Sequence, residues 1–243
     1  MSEISRRLFV SGVLATAAIP AVSDDLGSLK SQVSSLRLDT AEERRKKALL
    51  EWAVEDIAAA QAAGLMDDAA SLIADVQFAL DKPLGKASPV DKGLFPLITT
   101  KRDNPWLDKT RERIAALVAK AQKFPRGNDS TKKDLGISYG YPYIQLGQEG
   151  SLLAQGFGNP ETEYFGDPSL IAAIMRRFTA CFEVLHPGAK LLADFGSSPH
   201  ISEMYCLLNS SFPDLILPSR RVAWERALTL NCESILKLSL IHI

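Results

Sequence analysis

The chain has 243 residues, 46% of them hydrophobic and 23% charged, with a formal net charge of −1. That length supports one large domain or two small ones, burying about 70–75% of the surface the unfolded chain exposes. No basic excess points to nucleic acid and no acidic tail to a solvating region, and Cys181, Cys206 and Cys232 are spaced too widely for a metal clip, so no metal or other cofactor is expected.

The first element is residues 1–23, which read MSEISRRLF, then the apolar run Val10 to Val22, then Ser23. As a helix the run would span about 20 Å, short of the ~30 Å hydrocarbon core, so no permanent membrane span is expected. Ser5-Arg6-Arg7-Leu8-Phe9 resembles the twin-arginine export motif, departing from it at Val10, where Leu is usual, and at Ser11, where Lys is common. Ala21-Val22-Ser23 then offers a cleavage site. This resemblance implies a bacterial protein that folds before the twin-arginine machinery exports it, and a periplasmic or secreted location. The other reading is an amphipathic helix of the folded domain. Cys181 and Cys206 could pair in an oxidising compartment or remain buried thiols. Residues 24–38 are expected to form a polar linker.

A helical domain is expected over residues 39–237. Thr40-Ala41-Glu42-Glu43 is a capping box, in which Thr40 takes the amide of the third helical residue and Glu43 reaches back. Leu50, Val54 and Ile57 recur on one helical face, and Gly64 supplies a stop. A second helix is predicted from Asp67 to Asp81, with Leu72, Ile73, Val76 and Leu80 inward, making an antiparallel hairpin with the first. Asn104-Pro105, Asp167-Pro168 and Ser198-Pro199 each pair a capping side chain with a proline that costs no amide at the first helical position. They open helices carrying Ile114, Leu117 and Val118; Ile171, Ile174, Phe178 and Phe182; and Ile201, Tyr205 and Leu208. A last helix starts near Ser219 with Val222, Trp224, Ala227 and Leu228. Strand-like alternation is nearly absent, so the fold class is all-α, built from helical hairpins.

Residues 125–166 break this pattern, with only a short helix expected at Gln148 to Gln155. A connection that long is more often a binding loop than filler. Tyr139, Tyr141, Tyr143, Phe157, Tyr164 and Phe165 place six of the eighteen aromatic residues there. Exposed, such rings suit the apolar faces of sugars; turned inward, they plug the core.

Asp194-Phe195-Gly196 spells the kinase magnesium-binding triplet, but the glycine-rich loop, the strand lysine and the catalytic loop of kinases are missing. The turn instead gathers Asp194, His200 and Glu203. In the first turn of its helix the His200 imidazole is expected to be neutral, as a general base must be. The alternative is a histidine that packs at a helix start. Leu238 to Ile243, LSLIHI, back-translates to CTG-TCT-CTT-ATA-CAC-ATC, the end of a transposase sequencing adapter. On that reading residues 238–243 are read-through and the chain is the front portion of a longer protein; the alternative is a short apolar strand.

Tyr-Phe-Gly-Asp-Pro (164–168), Leu-Ala-Asp-Phe-Gly-Ser-Ser-Pro-His (192–200) and Leu-Pro-Ser-Arg-Arg-Val-Ala-Trp-Glu-Arg-Ala-Leu (217–228) resemble hairpin phrases of the α/α-toroid polysaccharide lyases, in the neighbourhood of heparinase-like and alginate-lyase-like families. The resemblance covers about a quarter of the chain. It implies an incomplete α/α toroid that cleaves an acidic, uronate-containing polysaccharide by β-elimination. One group neutralises the uronate carboxylate, a Tyr or His takes the adjacent proton, and an acid protonates the leaving oxygen. His200 is then the candidate base and Tyr141 its catalytic partner. Tyr139, Tyr143 and Tyr164 are candidate sugar platforms, and Arg220, with Arg221 beside it, is a candidate contact for the acidic substrate; the alternative is that both arginines are solvated on an exposed helix start. The catalytic Asn, His and Tyr of such enzymes commonly lie further along the toroid. The rival expectations are a non-catalytic exported glycan-binding or scaffold protein, and a toroid glycoside hydrolase using Asp194 and Glu203 as paired carboxylates.

Overall fold

The computed structural model describes residues 22–85, 105–119, 126, 141–160, 162–184 and 198–241. Among these the regular structure is entirely helical: α1 (Val22–Ser34), α2 (Ala41–Ala62), α3 (Met66–Leu80), α4 (Pro105–Ala119), α5 (Tyr141–Gly158), α6 (Ile171–Val184), α7 (Ser198–Ser211) and α8 (Pro218–Ile241). Short 3-10 turns at Pro168–Leu170 and Pro213–Leu215 lead into α6 and α8.

Helix α2 is the central element. The Thr40 hydroxyl accepts from the Glu43 amide at 3.1 Å while the Glu43 carboxylate accepts from the Thr40 amide at 2.8 Å, which completes the capping box. Leu49, Leu50, Ala53 and Ile57 are fully buried along one stripe. The helix ends where Gly64 takes φ +75°, with Gly64 N–H bonded to Gln61 O and Leu65 N–H to Ala60 O. That pair of bonds is a Schellman stop, and the left-handed residue it needs is the glycine. Helix α3 follows after three residues and packs back on α2 through Leu72 and Val76. Lys46 of α2 secures its far end, donating to Leu80 O at 2.8 Å and Lys82 O at 2.7 Å.

Two stretches differ from the sequence expectation. The polar linker expected over residues 24–38 is largely helix α1, because Leu29 and Val33, one turn apart, are buried against α2 and α3. Residues 141–158, expected as loop apart from a short helix, form the eighteen-residue α5. Gly147, Gly150, Gly156 and Gly158 lower its intrinsic propensity. Tertiary packing overrides that cost: a Cβ at position 150 would overlap Met204 Sδ of α7, and one at 156 would crowd Ile114 of α4 at 3.1 Å. The glycines are what let α5 lie close to its neighbours. Leu238 to Ile241 continue α8 as helix rather than strand.

An aromatic ladder joins α6, α7 and α8. The rings of Phe178, Phe182 and Trp224 stack with centroids 4.8–5.7 Å apart, and Tyr205 meets Phe182 edge-on at 6.3 Å. Cys181 is buried on α6, next to Phe182 in the chain, whereas Cys206 and Cys232 are exposed thiols. Among the described residues, no helix is long and apolar enough to cross a membrane.

Candidate functional site

Helix α7 opens at Ser198, so His200 stands in its first turn and Glu203 one turn further on the same face. The close approach at Gly150 brings α5 against that face and supplies Ser151 and Gln155, themselves one turn apart. Ser151 Oγ donates to Glu203 Oε2 at 2.5 Å and Gln155 Nε2 donates to Glu203 Oε1 at 2.9 Å. His200 Nδ1 lies 3.8 Å from Glu203 Oε2. His200 and Glu203 are each about one third exposed, while Ser151 is buried. The result is a polar seam with its carboxylate held on both oxygens and its imidazole at the rim.

A different side of α5 carries a buried ion pair with α6. Arg177 of α6 donates through Nε and Nη2 to Glu149 Oε2 at 3.1 and 2.8 Å, and through Nη1 to Ala173 O at 3.0 Å. Gln145 donates to the other oxygen of Glu149 at 3.0 Å. Charges this deep persist only when hydrogen-bonded on all sides, and truncating either partner would strand the other.

Helices α5 and α7 run in the same direction: Gly150 meets Met204, and further along Ser211 Oγ donates to Gly158 O at 3.5 Å. Their N-terminal ends therefore reach the same end of the molecule. Tyr141 and Tyr143 lie in the first turn of α5, at the end where His200 stands; their side chains lie outside the described residues, as do Tyr139 and Asp194.

The remaining candidates are placed elsewhere. Tyr164 is half-buried, packs over Gly156 and donates its hydroxyl to Arg111 O at 3.3 Å; burial, followed by the Glu163 carboxylate, raises its hydroxyl above the usual tyrosine pKa. Phe157 is fully buried, and it and Phe165 close on Phe212 with centroids 4.5 and 5.4 Å away. These three rings plug the core instead of offering a sugar platform. Arg220, expected at an exposed helix start, is buried and grips Asp68 with two hydrogen bonds of 2.7 and 2.9 Å. Its neighbour Arg221 is held by Asn209 Oδ1 at 2.5 Å and Pro213 O at 2.8 Å.

Glu149, Ser151 and Gln155 fall within the short helix expected from the sequence; what hid their role is that their partners, Arg177 and Glu203, lie on other helices. Read as helix, Gln145, Glu149 and Ser151, Gln155 fall into i,i+4 pairs on two separate faces, one toward α6 and one toward α7. Among the described residues no group of three His, Cys, Asp or Glu side chains could hold a metal ion. A groove of about 350 Å³ beside the start of α2, lined by Leu36, Arg37, Glu42, Lys46 and Leu84, contains none of the candidate residues. No protein-family model matches the chain, and no curated protein or solved structure matches it.

Proposed function

We propose that this chain belongs to an exported polysaccharide lyase built as a ring of helical hairpins, with the α5–α7 seam facing an acidic glycan. The observation that supports this most is the direct parallel packing of α5 on α7, with α6 between them in sequence. In a ring of hairpins every second helix runs the same way and lines the same wall, so the wall helices open together at one mouth. Here that mouth carries His200, the start of α5 with Tyr141 and Tyr143, and the Glu203 carboxylate.

In the proposed reaction, Glu203 faces Nδ1 of His200 and orients the ring, and Nε2 takes the proton from the carbon next to the uronate carboxylate. The released electron pair forms the ring double bond, the bond to the leaving oxygen breaks, and Tyr141 supplies that oxygen with a proton. Export follows the twin-arginine reading of Arg6 and Arg7.

A second reading, a non-catalytic glycan-binding or scaffold protein, draws support from a different observation. Ser151 and Gln155 already occupy both oxygens of Glu203, which is how a structural carboxylate is satisfied. Incubation with a panel of uronate polysaccharides, read by the ultraviolet absorbance of the unsaturated product, separates the two. The lyase reading expects product that His200→Ala reduces at least ~100-fold, the contribution of a positioned base. Binding without product on every acidic glycan would leave the second reading. The export reading expects that Arg6→Lys/Arg7→Lys keeps a fused reporter in the cytoplasm.

A further inference from the structure

Four charged side chains from four parts of the chain meet beside the first turn of α8. Asp56 comes from α2, Asp68 from α3, Arg220 from α8, and Arg126 from the chain between α4 and α5. Arg220 Nη1 and Nη2 reach Asp68 Oδ1 and Oδ2 at 2.7 and 2.9 Å. Arg126 reaches the same Asp68 Oδ2 through Nη2, and Asp56 Oδ2 through Nη1 at 2.5 Å. Arg220 Nη2 also stands 3.9 Å from Asp56 Oδ2. Further along α3, Asp75 accepts from the Ser219 amide at 2.9 Å and from its hydroxyl at 2.5 Å, so α8 is tied to α3 at two adjoining points. Asp56, Arg126 and Arg220 are buried, and Asp68 is partly so.

The cluster holds two negative and two positive charges, and losing any one of them leaves it charged. Removing one partner of a buried ion pair leaves an uncompensated charge, which costs far more than the intact pair contributes. Neither arginine has a carboxylate to itself. We propose that Asp56 and Asp68 form one shared clasp, through which the chain at Arg126 and the start of α8 seat and release together.

The groups facing Asp68 are Arg220 from α8, Arg126, and Asp56 from α2. Burial alone would raise the Asp68 carboxyl, but the hydrogen bond and charge of Arg220, then of Arg126, outweigh it and hold the group below the usual carboxylate value. A depressed folded-state pKa contributes stability above the unfolded value of about 3.9 and loses it as pH falls through the folded value. The clasp therefore holds at neutral pH and opens in acid.

Double-mutant cycles in urea unfolding test the clasp. Arg126→Gln and Arg220→Gln each lower the folding equilibrium constant, and together they lower it about tenfold beyond the product of the two, because two carboxylates are stranded. Asp68→Asn combined with Arg220→Gln restores neutrality and costs about tenfold less than the product. Independence of both pairs, within twofold, would overturn the proposal. Should the glutamine variants not fold, Arg126→Lys and Arg220→Lys run the same first cycle. Hydrogen exchange of the wild-type chain along an acid titration needs no variant. The peptide carrying Arg126 and the peptide covering the first turn of α8 should open over one pH interval; separate midpoints would contradict a shared clasp.

Discussion

Tyr205 shows how one side chain ties local chemistry to stability. Its ring sits edge-on to the aromatic ladder, and its hydroxyl donates to Glu225 Oε1 at 2.5 Å. Burial, and then the hydrogen bond to Glu225, pushes the hydroxyl up to about 12. A raised folded-state pKa means that the stability is fully present below the unfolded value of about 10 and is lost as pH rises through the folded value. Wild-type protein should therefore lose stability between about pH 10 and about 12, measured as the urea midpoint at each pH. Tyr205→Phe removes that loss and costs about 1 kcal/mol or less at neutral pH, because Glu225 is half-exposed and rehydrates. An unchanged alkaline limb in the variant would mean that another group sets it.

Helices α2 and α5 are specified in opposite ways. Helix α2 announces itself in the sequence through Thr40, Glu43 and the apolar stripe, and each signal has the contact it predicts. Thr40→Ala should cost about 1 kcal/mol in chemical unfolding, with the loss confined to the first turn of α2 in hydrogen exchange. Helix α5 is specified by what it packs against. Gly147, Gly156 and Gly158 read locally as loop, and the reason for Gly150 is Met204, fifty-four residues away in sequence. Gly150→Val should destabilise by about 1–3 kcal/mol through overpacking, partly relieved when Met204→Ala is added; a neutral effect would mean that α5 and α7 do not approach closely there. Helix α1 lies between these cases. Leu29 and Val33 carry a helical period, but a preceding polar run and a short apolar stripe hid it. The all-helical class, the α2–α3 hairpin and the starts of α4, α7 and α8 were legible because capping residues and proline act within one turn. The seam was half legible: His200 and Glu203 share a helix turn, while Ser151 and Gln155 join them only through the fold. Arg220 read as a surface cation because its partner, Asp68, lies on the α2–α3 hairpin far back along the chain.

At the scale of the whole molecule, the polar features that tie the described helices together include the clasp joining α2, α3 and α8, the Arg177–Glu149 pair joining α5 and α6, and the Glu203 seam joining α5 and α7. Of the three, the seam alone carries a histidine, about one third exposed at its rim, and on that imidazole rests the proposal that it meets a substrate. The chain carries three histidines, so histidine-selective isotope labelling gives a simple NMR spectrum in which His200→Gln identifies one signal. Titration with a uronate oligosaccharide should move that signal saturably, with the other two unmoved, and Glu203→Gln should change the size of the shift. A His200 signal that stays in place while the oligosaccharide is at saturating concentration, or that moves no more than the others, would contradict the assignment of the seam as the glycan site.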